Sequence, residues 1–162
     1  MKQEFAFRRA TVADISSIME IELICFGQDS FSKRQFTYLI NRAQGCFLVV
    51  ESQGRIIGYL SLLINKHVRR LRIYSLAVHP VFRGKGVGQL LMDQAVDVAY
   101  KERLGEVTLE GNVSNLSAIH LYEKNGFECA GTRKNYYHDG TDAHYMQKLV
   151  VNTSFNRQTE RL

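Results

Sequence analysis

A glycine-rich segment with two basic residues, Arg83-Gly84-Lys85-Gly86-Val87-Gly88, separates a strand-like apolar run from a stretch of helical periodicity. Glycines allow a tight turn and a close approach of a ligand to the backbone. The free N–H groups and the dipole at the start of the following helix favour an anion, and Arg83 and Lys85 add positive charge. The segment therefore predicts a site for a phosphate-bearing ligand. The alternative is a tight turn whose glycines serve packing only.

Two common phosphate-binding motifs fit this segment poorly. A P-loop requires a lysine followed by Ser or Thr, whereas Lys85 is followed by Gly86. A dinucleotide-binding fold carries its glycines early in a βαβ unit, whereas here several predicted antiparallel strands come first. The sequence thus argues against a nucleotide hydrolase and against a nicotinamide-dependent dehydrogenase.

Glu110 and Tyr122 are the second group of residues with useful chemistry. Glu110 closes a short predicted strand, and Tyr122 lies in the helix that follows. A carboxylate can accept a proton from an ammonium group, and a phenol with a pKa of about 10 can donate one to a thiolate. Transfer of an acyl group from a thioester to an amine needs both functions. The alternatives are a salt-bridged strand-end glutamate and an aromatic core residue.

Periodicity predicts the elements that position these residues. A strand around Phe5 and Phe7 is followed by two helices, capped by Thr11 and Ser32, and by three antiparallel strands that end at Pro80. A long helix, a strand, a helix closed by Gly126 and two further strands complete the order. The first helix is predicted to bury a stripe of six residues, Ile15, Ile18, Met19, Glu22, Leu23 and Phe26.

Composition limits the class of protein. The 162 residues suit one domain over residues 1–151, followed by a polar tail over 152–162. There is no apolar run of the ~18 residues that cross a bilayer and no signal-peptide core, so we expect a cytoplasmic protein without a membrane partner. Cys25, Cys46 and Cys129 form no C-x-x-C pair, which suits a reducing compartment. The net charge of +5 favours an anionic partner without identifying it.

The run Leu76-Ala77-Val78-His79-Pro80 followed by Arg83-x-x-Gly86-x-Gly88 resembles the acetyl-CoA signature of the GNAT N-acetyltransferase superfamily. The segments 109–127 and 133–146 are similar to the RimI-type ribosomal-protein alanine N-acetyltransferases, and the order of elements is also that of the superfamily. The resemblance implies an α/β (α+β) fold, with a central mixed, mostly antiparallel sheet of about seven strands flanked by about four helices.

The resemblance also implies roles for individual residues. Glu110 corresponds to the general base and Tyr122 to the general acid, while Tyr136 and Tyr137 are expected to wall the acceptor site. The oxyanion is expected at a backbone N–H near Ala77 or Val78. The pyrophosphate of acetyl-CoA is expected to contact the turn residues Arg83, Gly84, Lys85, Gly86, Val87 and Gly88. The pantetheine arm is expected to pair with the strand residues Leu76, Ala77 and Val78. Asn115 is a further candidate for a hydrogen bond to this arm, with helix capping as the alternative.

We therefore expect an acetyl-CoA-dependent enzyme that acetylates a protein N-terminal α-amine directly. The alternatives are a lysine, polyamine or small-molecule acceptor, or a non-catalytic module that binds CoA or nucleic acid. The position of the glycine turn favours CoA over nucleic acid. No metal is expected, because His138, Asp139, Asp142 and His144 straddle a turn without a ligand spacing. Gly111 departs from the family, where a larger apolar residue is common, and the segment 27–36 lacks the family's frequent tryptophan.

Overall fold

The computed structural model describes residues 4–150, so the predicted polar tail, 152–162, lies outside the described residues. Strand β1 is Ala6–Arg9, helix α1 is Ile15–Phe26 and helix α2 is Lys33–Asn41. The cap predicted at Ser32 is confirmed, whereas Thr11 caps the 3₁₀ turn Val12–Asp14 and the N-cap of α1 itself is Asp14. The Asp14 carboxylate accepts the Thr11 N–H at 2.8 Å, with a 3₁₀ turn between this cap and α1, and the Ser32 hydroxyl accepts the Gln35 N–H at 3.2 Å.

The buried side of α1 differs from the predicted stripe. Its buried residues are Ile15, Ile18, Ile21 and Glu22, whereas the Leu23 side chain is 57% exposed. With 3.6 residues per turn, Ile21 and Glu22 lie below Ile18 on the same side of the helix, and Leu23 is turned away from it. The inward position of Glu22 is therefore a consequence of helix geometry.

The remaining elements form one sheet with helices on both sides. The strands are β2 Gly45–Ser52, β3 Arg55–Asn65, β4 Arg70–Val78, β5 Glu106–Asn112, β6 Glu128–Arg133 and β7 Ala143–Leu149, and the helices are α3 Val87–Lys101 and α4 Leu116–Lys124. The strand order is β1-β2-β3-β4-β5-β7-β6, and only β4 and β5 pair in parallel. This confirms the predicted mixed, mostly antiparallel seven-stranded sheet with four α-helices in the described part of the chain.

Each side of the sheet has its own apolar core. One core joins α3 residues such as Leu91 and Ala95 to the sheet, and Tyr122 of α4 packs against it. The other joins Ile18 of α1 and Phe36 of α2 to the opposite side. The helices are thereby fixed to both faces of the sheet, and a ligand has to enter where the sheet itself opens.

The sheet opens between β4 and β5. The two strands pair only from Arg70 opposite Glu106 to Ile73 opposite Leu109. Directly after the last pair, Tyr74 is an extra residue in the β3–β4 register, a β-bulge that bends the strand. Further along, β4 continues along β3 alone and β5 continues along β7 alone. The facing edges of β4 and β5 are therefore free to contact a ligand.

Among residues 4–150, no helix combines the length and the apolar composition needed to span a membrane.

Candidate active site

The glycine-rich turn leads directly into α3 at the mouth of this opening. Gly84 and Gly86 have left-handed φ angles of 75° and 82°, which a residue with a side chain rarely adopts. The first hydrogen bond within α3 runs from the Leu90 N–H to the Gly86 carbonyl, so the N–H groups of the first turn have no acceptor within the helix. That turn contains no acidic residue. The local structure suits an anion, as predicted.

A groove of about 650 Å³ runs from this turn along β4 to α4. Nine of the ten predicted cofactor residues line it, namely Leu76, Ala77, Val78, Arg83, Gly84, Gly86, Val87, Gly88 and Asn115. Lys85 is the exception, since it is absent from the lining and its Nζ lies 5.3 Å from the centre of the Phe82 ring. The side chain of Asn115 accepts the Ala118 N–H at 3.2 Å, so helix capping, the alternative for this residue, is present as well.

The α4 side of the groove contributes residues that the sequence analysis missed, Ser117, His120 and Lys124. They are spaced at three and four residues, so they share one side of α4. The sequence spacing could have indicated this, because Lys124 lies one helical turn after His120 and therefore faces the same groove. Gln89 and Asn125 join the start of α3 to the end of α4 through hydrogen bonds of 2.7 and 3.0 Å. The two walls of the groove are thereby fixed relative to each other.

The free edge of β4 presents backbone groups to the groove. The His79 N–H donates to the Ile57 carbonyl of β3, whereas the Val78 carbonyl accepts from the Cys25 thiol of α1 at 3.5 Å. Because successive residues of a strand point their backbone groups to opposite sides, the Val78 N–H faces away from β3 and the Ala77 N–H faces towards it. Of the two predicted oxyanion donors, Val78 has the suitable direction and Ala77 does not.

A second cavity, of about 400 Å³, lies on the α1 side of the opening. It brings together Glu110, Tyr122, Tyr136 and Tyr137, which the sequence analysis had assigned to catalysis and acceptor binding. It shares six lining residues with the groove, Cys25, Phe26, Leu76, Asn115, Ala118 and Tyr122. The groove and the cavity therefore meet, and Tyr122 stands at their junction.

Glu110 lies in the wall of this cavity and is ion-paired. Arg72 of β4 places Nη2 3.1 Å from Glu110 Oε2, and the Glu110 side chain is 10% exposed. Arg72 also donates to the Tyr136 hydroxyl at 3.3 Å and lies over the Tyr74 ring. The strand does not end at Glu110 as predicted, because pairing with β7 carries β5 on to Asn112. The salt bridge expected of a structural glutamate is therefore present, and the carboxylate also lines the cavity.

Tyr122 is held by its neighbours on α4 and β5. Burial raises the pKa of Tyr122 to about 12, so the phenol remains protonated at neutral pH. A Cβ atom at Gly111 would lie 3.3 Å from Tyr122 Cε2 and 2.8 Å from Ile119 Cδ1. Gly111, where the family commonly has a larger apolar residue, thus leaves the space that the Tyr122 ring occupies.

The acceptor side of the cavity is closed by two connections that touch each other. The His138 N–H in the β6–β7 connection donates to Asp29 Oδ1 in the α1–α2 connection at 2.7 Å. Tyr136 and Tyr137 lie in the β6–β7 connection, with their ring centres 5.0 Å apart. Phe31 lies in the α1–α2 connection and stacks on the ring of Tyr74, with the ring centres 5.1 Å apart. Burial raises the pKa of both Tyr136 and Tyr137. The wall is aromatic and its hydroxyls stay protonated at neutral pH.

The described residues contain no group of three or more His, Cys, Asp or Glu side chains arranged to hold a metal ion.

Comparison with known proteins places this architecture among acetyltransferases. The model of the acetyltransferase (GNAT) family matches residues 15–127. A candidate ribosomal protein bS18-alanine N-acetyltransferase of Bacillus subtilis is 33% identical over 152 residues, covering 94% of this chain and 99% of that protein. The N-alpha-acetyltransferase RimI of Mycobacterium tuberculosis is 30% identical over 142 residues, covering 85% and 88%. The crystal structure of Ard1 from Thermoplasma volcanium superimposes with a TM-score of 0.81 at 26% identity, covering 91% of this chain and 99% of that one.

Proposed function

Because the chain belongs to the GNAT family of acetyltransferases, we propose that it transfers the acetyl group of acetyl-CoA to the N-terminal α-amine of a protein. Members of this family use acetyl-CoA as the acetyl donor, so the protein is an enzyme. The acceptor class is supported by relatives with full-length similarity, whose names describe N-terminal and ribosomal-protein alanine acetylation. Family membership also argues against a non-catalytic module.

The groove fits acetyl-CoA in its chemistry. The left-handed turn and the free N–H groups of α3 suit the pyrophosphate, and Arg83 adds a cation at the same end. The free edge of β4 offers the Leu76–Val78 backbone to the amide-containing pantetheine arm. Asn115 borders both the groove and the cavity, where the arm would approach the acceptor. In this arrangement the thioester end lies at the junction beside Tyr122.

The observation that carries the choice of acceptor is the ion pair between Arg72 and Glu110. The guanidinium group disfavours a second positive charge at Glu110, so an acceptor that is already partly neutral reacts there more readily. At pH 7 a terminal amine with a pKa of about 7.8 is roughly one-seventh neutral, whereas a lysine at about 10.4 is neutral about four times in ten thousand. The site therefore suits a terminal amine better than a lysine.

Three groups divide the chemistry at the junction. Glu110 accepts the proton of the acceptor amine, directly or through water. The Val78 N–H donates to the carbonyl oxygen that gains negative charge as the amine attacks. Tyr122 donates a hydrogen bond to the departing sulfur. Because the pKa of Tyr122 is raised to about 12, well above the value of about 8.5 for a cysteine-type thiol, the phenol stabilises the thiolate by hydrogen bonding until it leaves.

A panel of matched acceptors tests this function. The acceptors are a peptide with a free N-terminal alanine, the same peptide with a blocked terminus and an internal lysine, and spermidine. We expect the highest kcat/KM for the free terminus. Acetylation of only the lysine peptide or of only the polyamine would reject the proposed acceptor class, and activity of Glu110→Gln or Tyr122→Phe equal to that of the unchanged protein would reject their roles.

A further inference from the structure

Glu22 is a buried carboxyl group that forms no ion pair within residues 4–150. It points inward from α1, its residue exposure is 1%, and it lines the acceptor cavity. Its Oε1 accepts the Phe31 N–H at 3.1 Å, and Oε2 is buried without a hydrogen-bond partner among residues 4–150. Leaving a carboxylate oxygen unpaired in such a place is costly. A donor that arrives with a ligand would remove that cost.

The other carboxyl groups in the cavity wall are already engaged. Glu110 is paired with Arg72, and Asp29 accepts the His138 N–H. Glu22 differs from both, because its Oε2 is buried and has no hydrogen-bond partner among the described residues. Glu22 also lies close to the site of transfer, because Cys25, one helical turn further along α1, lines both the cavity and the groove.

We propose that Glu22 binds the positively charged head of the acceptor, the N-terminal ammonium group, before that group loses its proton and reacts beside Glu110. This proposal rests on the proposed acetylation of N-terminal amines. The ammonium group supplies both a positive charge and the donor that Oε2 lacks. Rotation about χ3, a broad torsion for glutamate, turns Oε2 towards the cavity. Glu22 and Glu110 then divide the work, because Glu22 binds the charged amine and Glu110 takes part in the reaction itself. The bound ammonium group first releases one proton to solvent, and Glu110 accepts the second proton as the neutral amine attacks the thioester.

A purely structural role of Glu22 would not require its negative charge. Anchoring the α1–α2 connection through the Phe31 N–H needs one acceptor oxygen, and the amide of a glutamine provides it without the cost of burying a charge. Burial raises the pKa of Glu22 to about 7. Glu22 is therefore about one-tenth ionised at pH 6 and about nine-tenths ionised at pH 8, so binding of a cation should strengthen about tenfold between these values.

Other titratable or charged groups face the same space from the neighbouring elements. They are Cys25 on α1, Asp29 in the α1–α2 connection, Tyr74 on β4, Arg83 in the turn before α3, and Glu110, Tyr136 and Tyr137 on the opposite wall. Burial raises the pKa of Cys25, Tyr136 and Tyr137 away from the neutral range. A transition near pH 7 that disappears on replacement of Glu22 alone therefore reports on Glu22.

The test uses a peptide whose N-terminal amine has been converted to a guanidinium group. This group keeps its charge and its N–H donors at all pH values used and cannot be acetylated. Calorimetry with the CoA-saturated protein at pH 6 and pH 8 measures the dissociation constant of this guanidinium peptide. The dissociation constant of the N-acetylated peptide is measured in the same way for comparison. We expect about tenfold tighter binding of the guanidinium peptide at pH 8, and no such change for the neutral peptide.

Glu22→Gln should weaken binding of the guanidinium peptide at pH 8 by about tenfold and abolish the pH dependence, with the affinity for CoA unchanged. Glu20→Gln, on the exposed side of the same helix, is the matched control. It should change neither the affinity for the guanidinium peptide nor the pH dependence of that affinity. Equal affinity of the unchanged protein for the guanidinium and the N-acetylated peptide at pH 8, a comparison that needs no variant, would overturn the proposal. So would a Glu22→Gln protein that binds the peptide as tightly as the unchanged one. Loss of the proposed function would be seen separately, as failure to acetylate a free-terminus peptide.

Discussion

Arg72 Nη2 lies 3.1 Å from Glu110 Oε2 across the last paired part of β4 and β5. The pair stands where the two strands begin to separate, so it fixes the carboxylate at the edge of the cavity. The same guanidinium group donates to Tyr136 in the acceptor wall. Arg72 thus connects Glu110, the strand opening and Tyr136.

Replacing Arg72 should impair acceptor use without affecting CoA. Arg72→Met removes the charge-assisted contact with Glu110, worth about 1.5–3 kcal/mol, so we expect kcat/KM for a terminal amine to fall by about ten- to a hundredfold. Because the repelling cation is also lost, the preference for a terminal amine over lysine should narrow. Steady-state kinetics with both acceptors check this, with Arg72→Lys as the charge-conserving control. An unchanged preference in Arg72→Met would contradict the role of the ion pair in acceptor choice.

Removing the Tyr122 hydroxyl should slow the reaction and leave CoA binding intact. Loss of a proton or hydrogen-bond donor to the leaving group typically costs about a hundredfold or more in rate, so we expect this loss in kcat for Tyr122→Phe. Tyr100→Phe, an exposed tyrosine on α3, should behave as the unchanged protein. Because the pKa of Tyr122 is raised to about 12, the phenol should cause no decline of kcat with rising pH below about pH 10. A decline that is present in the unchanged protein and absent from Tyr122→Phe would contradict this.

Adding a methyl group at Gly111 should displace the Tyr122 ring. The new Cβ would lie 3.3 Å from Tyr122 Cε2, and the closer contact, with Ile119 Cδ1, involves the flexible end of a side chain that can move. We expect Gly111→Ala to lower kcat by about three- to tenfold with CoA affinity unchanged, as a small misplacement of a catalytic group does. Gly105→Ala is the matched control, because its Cβ would meet nothing closer than 3.7 Å. Equal activity of the two variants would show that the Tyr122 ring has room to spare.

Arg83 and Lys85 should differ in their effect on CoA, although the sequence makes them look equivalent. Arg83 lines the groove, whereas Lys85 is absent from the lining and its Nζ lies over the ring of Phe82. We expect Arg83→Ala to weaken CoA binding by about ten- to a hundredfold, consistent with one charge-assisted contact of about 1.5–3 kcal/mol, and Lys85→Ala to leave it nearly unchanged. Calorimetry at two salt concentrations measures the affinity of each variant for CoA. A larger loss in the Lys85 variant would reverse the assignment.

Local patterns in the sequence were sufficient to predict most of the fold. The caps at Thr11 and Ser32, the glycine at position 126 and the period-two strands each depend on neighbouring residues alone. The separation of β4 from β5 was not predictable in this way, because it depends on a bulge at Tyr74 and on pairing between distant strands. The extension of β5 to Asn112 depends likewise on β7.

The candidate site was predictable to the extent that the family resemblance covers it. Glu110, Tyr122, Tyr136 and Tyr137 were assigned in this way and meet in one cavity. Arg72 follows other basic residues at the start of β4 and has no local pattern that marks it. Glu22 is a member of the stripe predicted for α1. Their importance depends on what faces them across the cavity, which no local pattern contains.

The most direct measurement is the position of the acetyl group on one peptide that carries both a free N-terminal alanine and an internal lysine. The peptide is incubated with the protein and acetyl-CoA at neutral pH, and the product is sequenced by tandem mass spectrometry. We predict acetylation at the N-terminal α-amine, and loss of that product with Glu110→Gln. Acetylation of the lysine alone, with the terminus left free, would contradict the proposed function.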